Sequence, residues 1–211
     1  MDTDCLPAKK QDAMLKIKDI AATFGILIMA IEIEVKILNV VPLEIMERLE
    51  RAGAQSMGEW FVETRVFDFP DRRLLSAGGY VRIRNEGTQW HCTYKKKISQ
   101  DQAKTMLEMD MQVSDPQTAC EIFKALGLEI VLCFEKKRRH YEYEDWVFDL
   151  DELPGVPPYL EIEASSWEEI ERALDFLGID RSRGVSMGPK ELLAHYGMSI
   201  DEIQELRFKS P

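Results

Sequence analysis

Apolar and ionic residues alternate without a break along "IEIEVKIL" (residues 31–38), with Ile31, Ile33, Val35 and Ile37 opposite Glu32, Glu34 and Lys36. A period of two marks a β-strand with one greasy face and one charged face. A strand follows in "EWFVETRVFDF" (59–69), "YVRIRNEGTQWHCTYKKK" (80–97) holds two β-like runs, and the alternation returns in "KTMLEMDMQV" (104–113). "IVLCFEKKRRHYEYED" (130–145) carries strand character through a dense basic run, and "WVFDLDELPGVPPYLEIEAS" (146–165) gives two short strands around a Pro/Gly turn. The break at "NEGTQ" predicts a hairpin.

Helical spacing replaces the alternation in "VPLEIMERLERAG" (41–53), which has a proline near its start and a glycine stop. "SDPQTACEIFKALG" (114–127) opens on Ser/Asp, and "SWEEIERALDFLG" (166–178) on a capping box from Ser166 to Glu169. Two shorter helices are expected in "PKELLAHYG" and "SIDEIQELRF". The pattern predicts about eight strands and about four amphipathic helices. No Gly/Ser/Pro-rich linker interrupts them, so a single domain is expected over 29–180, with a C-terminal helical extension, 181–211, packed on it. Residues 1–28 read as an N-terminal extension, either helical or upstream of a true start at Met29.

The charged positions form one set. Taking every second residue gives Glu32, Glu34 and Lys36, then Arg82 and Arg84, then Thr93, Lys95 and Lys97. Glu108 and Asp110 follow, then Lys136 and Arg138, Asp149 and Asp151, and Glu161 and Glu163. One arrangement is a half-exposed sheet with a solvated outer face. The other is closure: helices cover the greasy face, the sheet curls to remove its edges, and the charges line the inside. A dry lumen would cost several kcal/mol per ion, so the lumen must be wet and its charges balanced by each other or by a ligand. The fold expected is α+β, an eight-stranded antiparallel β-barrel wrapped by amphipathic helices. Several basic groups around one cavity suit a polyphosphate, because arginine forks match phosphate oxygens. Carboxylates beside it call for a hard cation, Mg²⁺ or Mn²⁺.

Composition narrows the partners. The 211-residue chain is 45% hydrophobic and 31% charged, with a formal net charge of -11. An acidic exterior argues against a general nucleic-acid or membrane-surface binder. No apolar run reaches the length of a membrane span. The four cysteines, Cys5, Cys92, Cys120 and Cys133, lack metal-type spacing and read as reduced thiols of a cytoplasmic protein. "GVSMGPK" lacks P-loop spacing, and "DLDELPG" places Leu160 where a calcium loop requires glutamate. His91, His140 and His195 lie in no H-E-x-x-H setting and read as ordinary surface or core residues. The four tryptophans read as packing residues.

"EIEVK" resembles the E-x-E-x-K hallmark of the CYTH superfamily, the triphosphate tunnel metalloenzymes. The likeness continues in family order through "FDFPDRRL", "YVRIRNEG", "TYKKK", "LEMDMQV", "EKKRRHY" and "DLDELPGVPPYLEIE". It implies a metal site at Glu32, Glu34, Glu161 and Glu163, helped by Asp151, and a triphosphate cradle of Lys36, Arg82, Arg84, Lys95, Lys136 and Arg138. Glu108 and Asp110 match an acidic pair on the opposite wall, suited to a second metal or to orienting water. Glu32, Glu34, Lys36 and Asp151 are then the catalytic candidates.

The resemblance favours Lys136 and Arg138 over Lys137 and Arg139 as the inward pair, because Arg138 precedes Tyr141 by the family's spacing. Asp149 either faces inward with Asp151 or is swung out by a bulge. Hydrolysis of a triphosphate is the expected activity. Cyclisation of ATP to cyclic AMP is the alternative, although the His-Phe pair that class IV cyclases carry before the first strand is absent from "FGILIMA". A non-catalytic polyphosphate- or nucleotide-binding module is a rival of another class. The C-terminal helices have three uses open to them: capping a tunnel mouth, forming a homodimer face, or completing the fold.

Overall fold

The computed structural model describes residues 28–100, 104–199 and 203–209, without the side chains of residues 28–32, 99, 100 and 104. The expectation for an extension ahead of the first strand therefore lies outside the described residues, apart from Ile28, which belongs to that strand.

Each alternating segment forms a strand. They are β1 (Ile28–Ile37), β2 (Gln55–Asp68), β3 (Gly79–Glu86), β4 (Gln89–Gln100), β5 (Lys104–Val113), β6 (Glu129–Tyr143), β7 (Trp146–Leu153) and β8 (Val156–Ala164). Neighbours pair antiparallel in the order β6-β2-β3-β4-β5-β1-β8-β7, and β7 pairs back onto β6, which closes an eight-stranded barrel. Closure leaves these strands without a free side except where one outruns its neighbour. The β3–β4 hairpin turns at Gly87 and the β7–β8 hairpin at Gly155, whose φ values of 62° and 75° suit glycine.

The apolar faces point outward beneath helices. Val35, Ile37, Phe148, Leu150, Leu160 and Ile162 are buried against α1 (Pro42–Ala52) and α4 (Trp167–Phe176) through Ile45, Leu49, Ile170, Ala173 and Leu174. Ser166 accepts a hydrogen bond from the Glu169 backbone N–H, as the capping pattern predicts. Glu169 turns its carboxylate to the Trp146 indole at 2.9 Å. A second cluster, Phe67, Ile83 and Cys120, packs beneath α3 (Pro116–Ala125), whose first turn is capped by Asp115. No described helix is long and apolar enough to cross a membrane.

Two short segments depart from the helical reading of the C-terminus. Pro189–His195 is helical, as expected, and is called α5 here. Within the stretch expected as a helix over 199–208, Glu205 and Leu206 instead form a strand, β10, after the two-residue β9 (Gly184–Val185). The reason lies in the barrel wall. β6 begins at Glu129 but β7 covers it only from Lys137, so an edge stays open around Cys133 and Phe134. β10 pairs parallel to that edge, and Arg207 holds Glu135 at 2.8 Å. An unsatisfied strand edge outweighs the modest helix preference of the segment.

Candidate active site

The ionic positions with described side chains face the barrel interior. A cavity of about 430 Å³ runs through it, lined by Glu34, Lys36, Arg82, Arg84, Lys95, Lys97, Lys136, Arg138, Asp149, Glu161 and Glu163, among others. Strand order separates the signs. Carboxylates come mainly from the neighbouring strands β1, β8 and β7, and basic residues from β3 and β4 across the barrel, with Lys136 and Arg138 on β6.

On the acidic side, Lys36 lies 2.9 Å from both Glu34 and Glu161. Arg138 presents its fork to Asp151, with Nε and Nη2 at 2.8 and 2.7 Å, and also reaches Glu161 at 2.7 Å and Asp149. Lys136 lies 2.7 Å from Asp151 Oδ2, the oxygen that also accepts from Arg138 Nη2. Asp151 is fully buried and ligated by both cations. On the opposite side Glu108 joins Lys95 at 3.0 Å and Arg82 at 3.5 Å. Asp110 stands one inward position further along β5, bonded by the Thr93 hydroxyl and facing His91, each at 2.7 Å, and does not line the cavity. Glu32 lies opposite Met106 in the β1–β5 register, and its side chain is outside the described set.

These contacts shift the titrations. Burial alone would lower Lys36, but Glu161 and Glu34 outweigh it and hold the ammonium well above its ordinary range. Burial lowers Lys136, and the neighbouring Arg138 adds to this, so its net shift is downward despite Asp151. Burial would raise Glu161, but Lys36, Lys136 and Arg138 hold it well below the carboxylate range. Burial likewise opposes ionisation of Asp149, and Arg138 with His140 reverses that. Both carboxyls thus have folded-state values below their unfolded ones. Their contribution to stability is present above the unfolded values and is lost as pH falls through the folded ones. In ligand-free protein the melting temperature should therefore drop as pH goes below about 4, and Asp149→Asn should flatten that slope. Thermal melts across pH check this.

The inward register of β6 is the Lys136/Arg138 one: Lys137 is exposed, and Arg139 pairs outside with Glu152 at 3.0 Å and Glu59 at 3.2 Å. Asp149 faces inward with Asp151, while the bulge expected as its alternative falls later, between Asp151 and Leu153. Four contributors were missed in the sequence. Thr64 is 1% exposed, lines the cavity, and its hydroxyl has no hydrogen-bond partner among the described residues. Tyr159 is buried beside Asp151 and Glu161, and burial with those charges keeps its phenol protonated well above the ordinary range. His140 sits 2.6 Å from Asp149, and His91 faces Asp110, so two histidines read as ordinary are partners of inward carboxylates.

The donor chemistry fits a hard cation. Glu34 and Glu163 are register partners across β1 and β8, and both line the cavity. Like charges directly opposite on an antiparallel pair repel, and a divalent ion between them would remove that cost. Among the described residues no group of three His, Cys, Asp or Glu side chains is arranged as a ready-made metal cage. Mg²⁺ needs none, since it binds through one or two carboxylates plus phosphate oxygens and water.

A family model described as the CYTH domain matches residues 30–191. A Methanocaldococcus jannaschii protein named "Putative adenylate cyclase" is 30% identical over 135 residues, covering 64% of this chain and 77% of that one. A Pyrococcus horikoshii structure is 25% identical with a TM-score of 0.66, covering 76% of this chain and 98% of that one. A Hippeastrum structure, described as a "putative adenylyl cyclase" that "reveals a dominant triphophatase activity", shares the fold at 15% identity and a TM-score of 0.58, covering 80% and 96%. The chain therefore belongs to the CYTH domain family, and its closed tunnel of opposed charges is that family's fold.

Proposed function

We propose that the protein is a metal-dependent enzyme that hydrolyses a triphosphate inside the tunnel. The observation that carries this reading is the separation of charge: a basic wall on β3 and β4 faces carboxylates on β1, β8 and β7 across one cavity. Mg²⁺ or Mn²⁺ would be held by Glu34 and Glu163, with Glu161 beside them, and would neutralise phosphate charge as the bond breaks. The protein supplies the rest. Arg82, Arg84 and Lys95 bind the phosphate chain, with Lys36 and Lys136 closing on it from the other side. The Thr64 hydroxyl donates to a phosphate oxygen. Arg138 holds Asp151, Asp149 and Glu161 in place. Phosphoryl transfer depends on such positioning and on charge stabilisation more than on covalent help. Water adds to the terminal phosphorus, the bridging P–O bond breaks, and orthophosphate and a diphosphate leave.

Cyclisation of ATP is the second reading, favoured by the name of the Methanocaldococcus relative. The triphosphatase activity attributed to the Hippeastrum protein favours hydrolysis. Incubation with tripolyphosphate, ATP and thiamine triphosphate, under Mg²⁺ and Mn²⁺ separately, separates the two. Orthophosphate release with no cyclic AMP is expected. Cyclic AMP with equimolar pyrophosphate and no orthophosphate overturns hydrolysis.

A further inference from the structure

α5 and the short helix Arg73–Ser76, called α2, pack at one end of the tunnel, around Phe134 of β6. Three inward steps along that strand, past Lys136 and Arg138, His140 stands toward the opposite mouth. The cavity is lined by Asp149, its register partner on β7, and not by His140 itself.

Both ring nitrogens of His140 face carboxylate oxygens. Nδ1 is 2.6 Å from Asp149 Oδ1, and Nε2 is 3.1 Å from Glu142 Oε1. A neutral imidazole has one N–H and one lone pair, so one of these contacts would set a lone pair against an anion. The imidazolium donates to both. Trp60 of β2 packs on the ring at a centroid distance of 5.0 Å, within the range at which an aromatic face attracts a cation. Among the described groups, Arg138 on the same strand opposes the ring's charge, and Glu59 of β2 turns outside to Arg139.

The ring reaches the site through Asp149. That carboxylate gives Oδ1 to His140 and Oδ2 to Arg138 Nη1, which leaves Nε and Nη2 of Arg138 for Asp151 and Glu161. Lys36, Lys136, Arg138 and the imidazolium then match Glu34, Asp149, Asp151 and Glu161 one for one, while Glu142 is exposed at the mouth. We infer that His140 is a positioning residue that works as the imidazolium, holding Asp149 so that Arg138 stays on Asp151 and Glu161, and that triphosphate turnover falls as the ring loses its second proton. This deepens the triphosphate reading and rests on it. With a neutral ring, Asp149 is undercompensated and competes with Asp151 and Glu161 for the guanidinium. The site that receives a polyanion is then more negative by one charge.

Burial would lower the ring's hold on its second proton, but Asp149 and Glu142 outweigh burial and Arg138, so the shift is upward. A raised folded-state value adds stability below the unfolded value, and that stability is lost as pH rises through the folded one. The loss of turnover therefore lies on the alkaline side of the ordinary histidine value, about 6.5.

The test follows the ring and the reaction separately. Ring-nitrogen NMR shifts of the ligand-free protein, assigned with His140→Gln, should titrate with a midpoint above about 6.5. With Mg²⁺, kcat/KM for tripolyphosphate should fall through the same midpoint. His140→Gln keeps an N–H for Asp149 without the charge. It should lose the alkaline limb and run about 10- to 100-fold below wild type on the acid side of it, the usual cost of removing an outer partner of a site. Asp149→Asn, on another strand, guards against a folding failure: ring midpoint and limb should move down together. A ring midpoint at or below about 6.5 overturns the proposal. So does a limb that persists in His140→Gln, which would belong to Lys136, or one that stays in place in Asp149→Asn. Each of these leaves the triphosphate reading standing. If no triphosphate is turned over, hydrolysis falls, and calorimetric titration with tripolyphosphate across pH decides the rest. Binding that weakens as the ring deprotonates supports the role of His140; binding that is unchanged or absent overturns it.

Discussion

Glu34→Gln should lower kcat about 10²- to 10³-fold while leaving the melting temperature of the ligand-free protein unchanged or slightly raised. The size is that of losing one preorganised charge at a phosphoryl-transfer centre. The contrast between the two readouts comes from the register. Glu34 stands opposite Glu163, so replacing it with a neutral isostere relieves a like-charge pair in the apo protein. Its cation is not stranded, because Lys36 keeps Glu161 at 2.9 Å. A residue with a structural role would show the reverse, a lower melting temperature and intact turnover. The same variant separates an enzyme from a binding module, which has no turnover to lose. Retained turnover in a folded Glu34→Gln protein removes the Glu34–Glu163 pair from the reaction.

How much of this was legible beforehand follows from which forces act locally. The barrel could be read because most strands carry their own copy of the two-faced pattern, and only closure makes all those charged faces compatible. Most of the charged residues expected on the inward face line the cavity, Glu34 and Lys36 on β1 and Glu161 on β8 among them. Lys136 and Arg138 needed the family resemblance, since "EKKRRHY" is charged in either register.

What stayed hidden depended on distant partners. "IVLCF" is apolar on both faces, because its outward side chains meet the shell while Leu132 and Phe134 face the tunnel. A rule that sends charge inward has no place for them, so the apolar part of the tunnel lining was invisible. Thr64, lying between Glu63 and Arg65, carries no charge to mark it. The histidines gain meaning only when β4 is laid beside β5 and β6 beside β7, which brings His91 to Asp110 and His140 to Asp149. β10 exists because β7 is shorter than β6, a fact of the assembled wall that residues 205–206 do not contain.

Arg138→Ala should be the most destabilising single change in the tunnel, by about 3–5 kcal/mol, the cost of breaking a buried ion pair from one side. Arg138 is the one side chain touching Asp149, Asp151 and Glu161 together among the described contacts. Its removal leaves Asp151 to Lys136, Glu161 to Lys36, and Asp149 to His140. Arg138→Lys keeps the charge but cannot present two parallel donors to Asp151 while also reaching Asp149 and Glu161. It should fall between wild type and Arg138→Ala in stability, with turnover reduced because the acidic side is no longer held in one geometry. If the loss comes from stranded carboxylates, adding Asp149→Asn to Arg138→Ala should recover part of it, because one buried charge then no longer needs a partner. Urea denaturation of the four proteins measures this directly. A double variant no more stable than Arg138→Ala alone would assign the loss to missing packing around the guanidinium and its aliphatic stem, and would remove Arg138 from its place as the clasp of the three carboxylates.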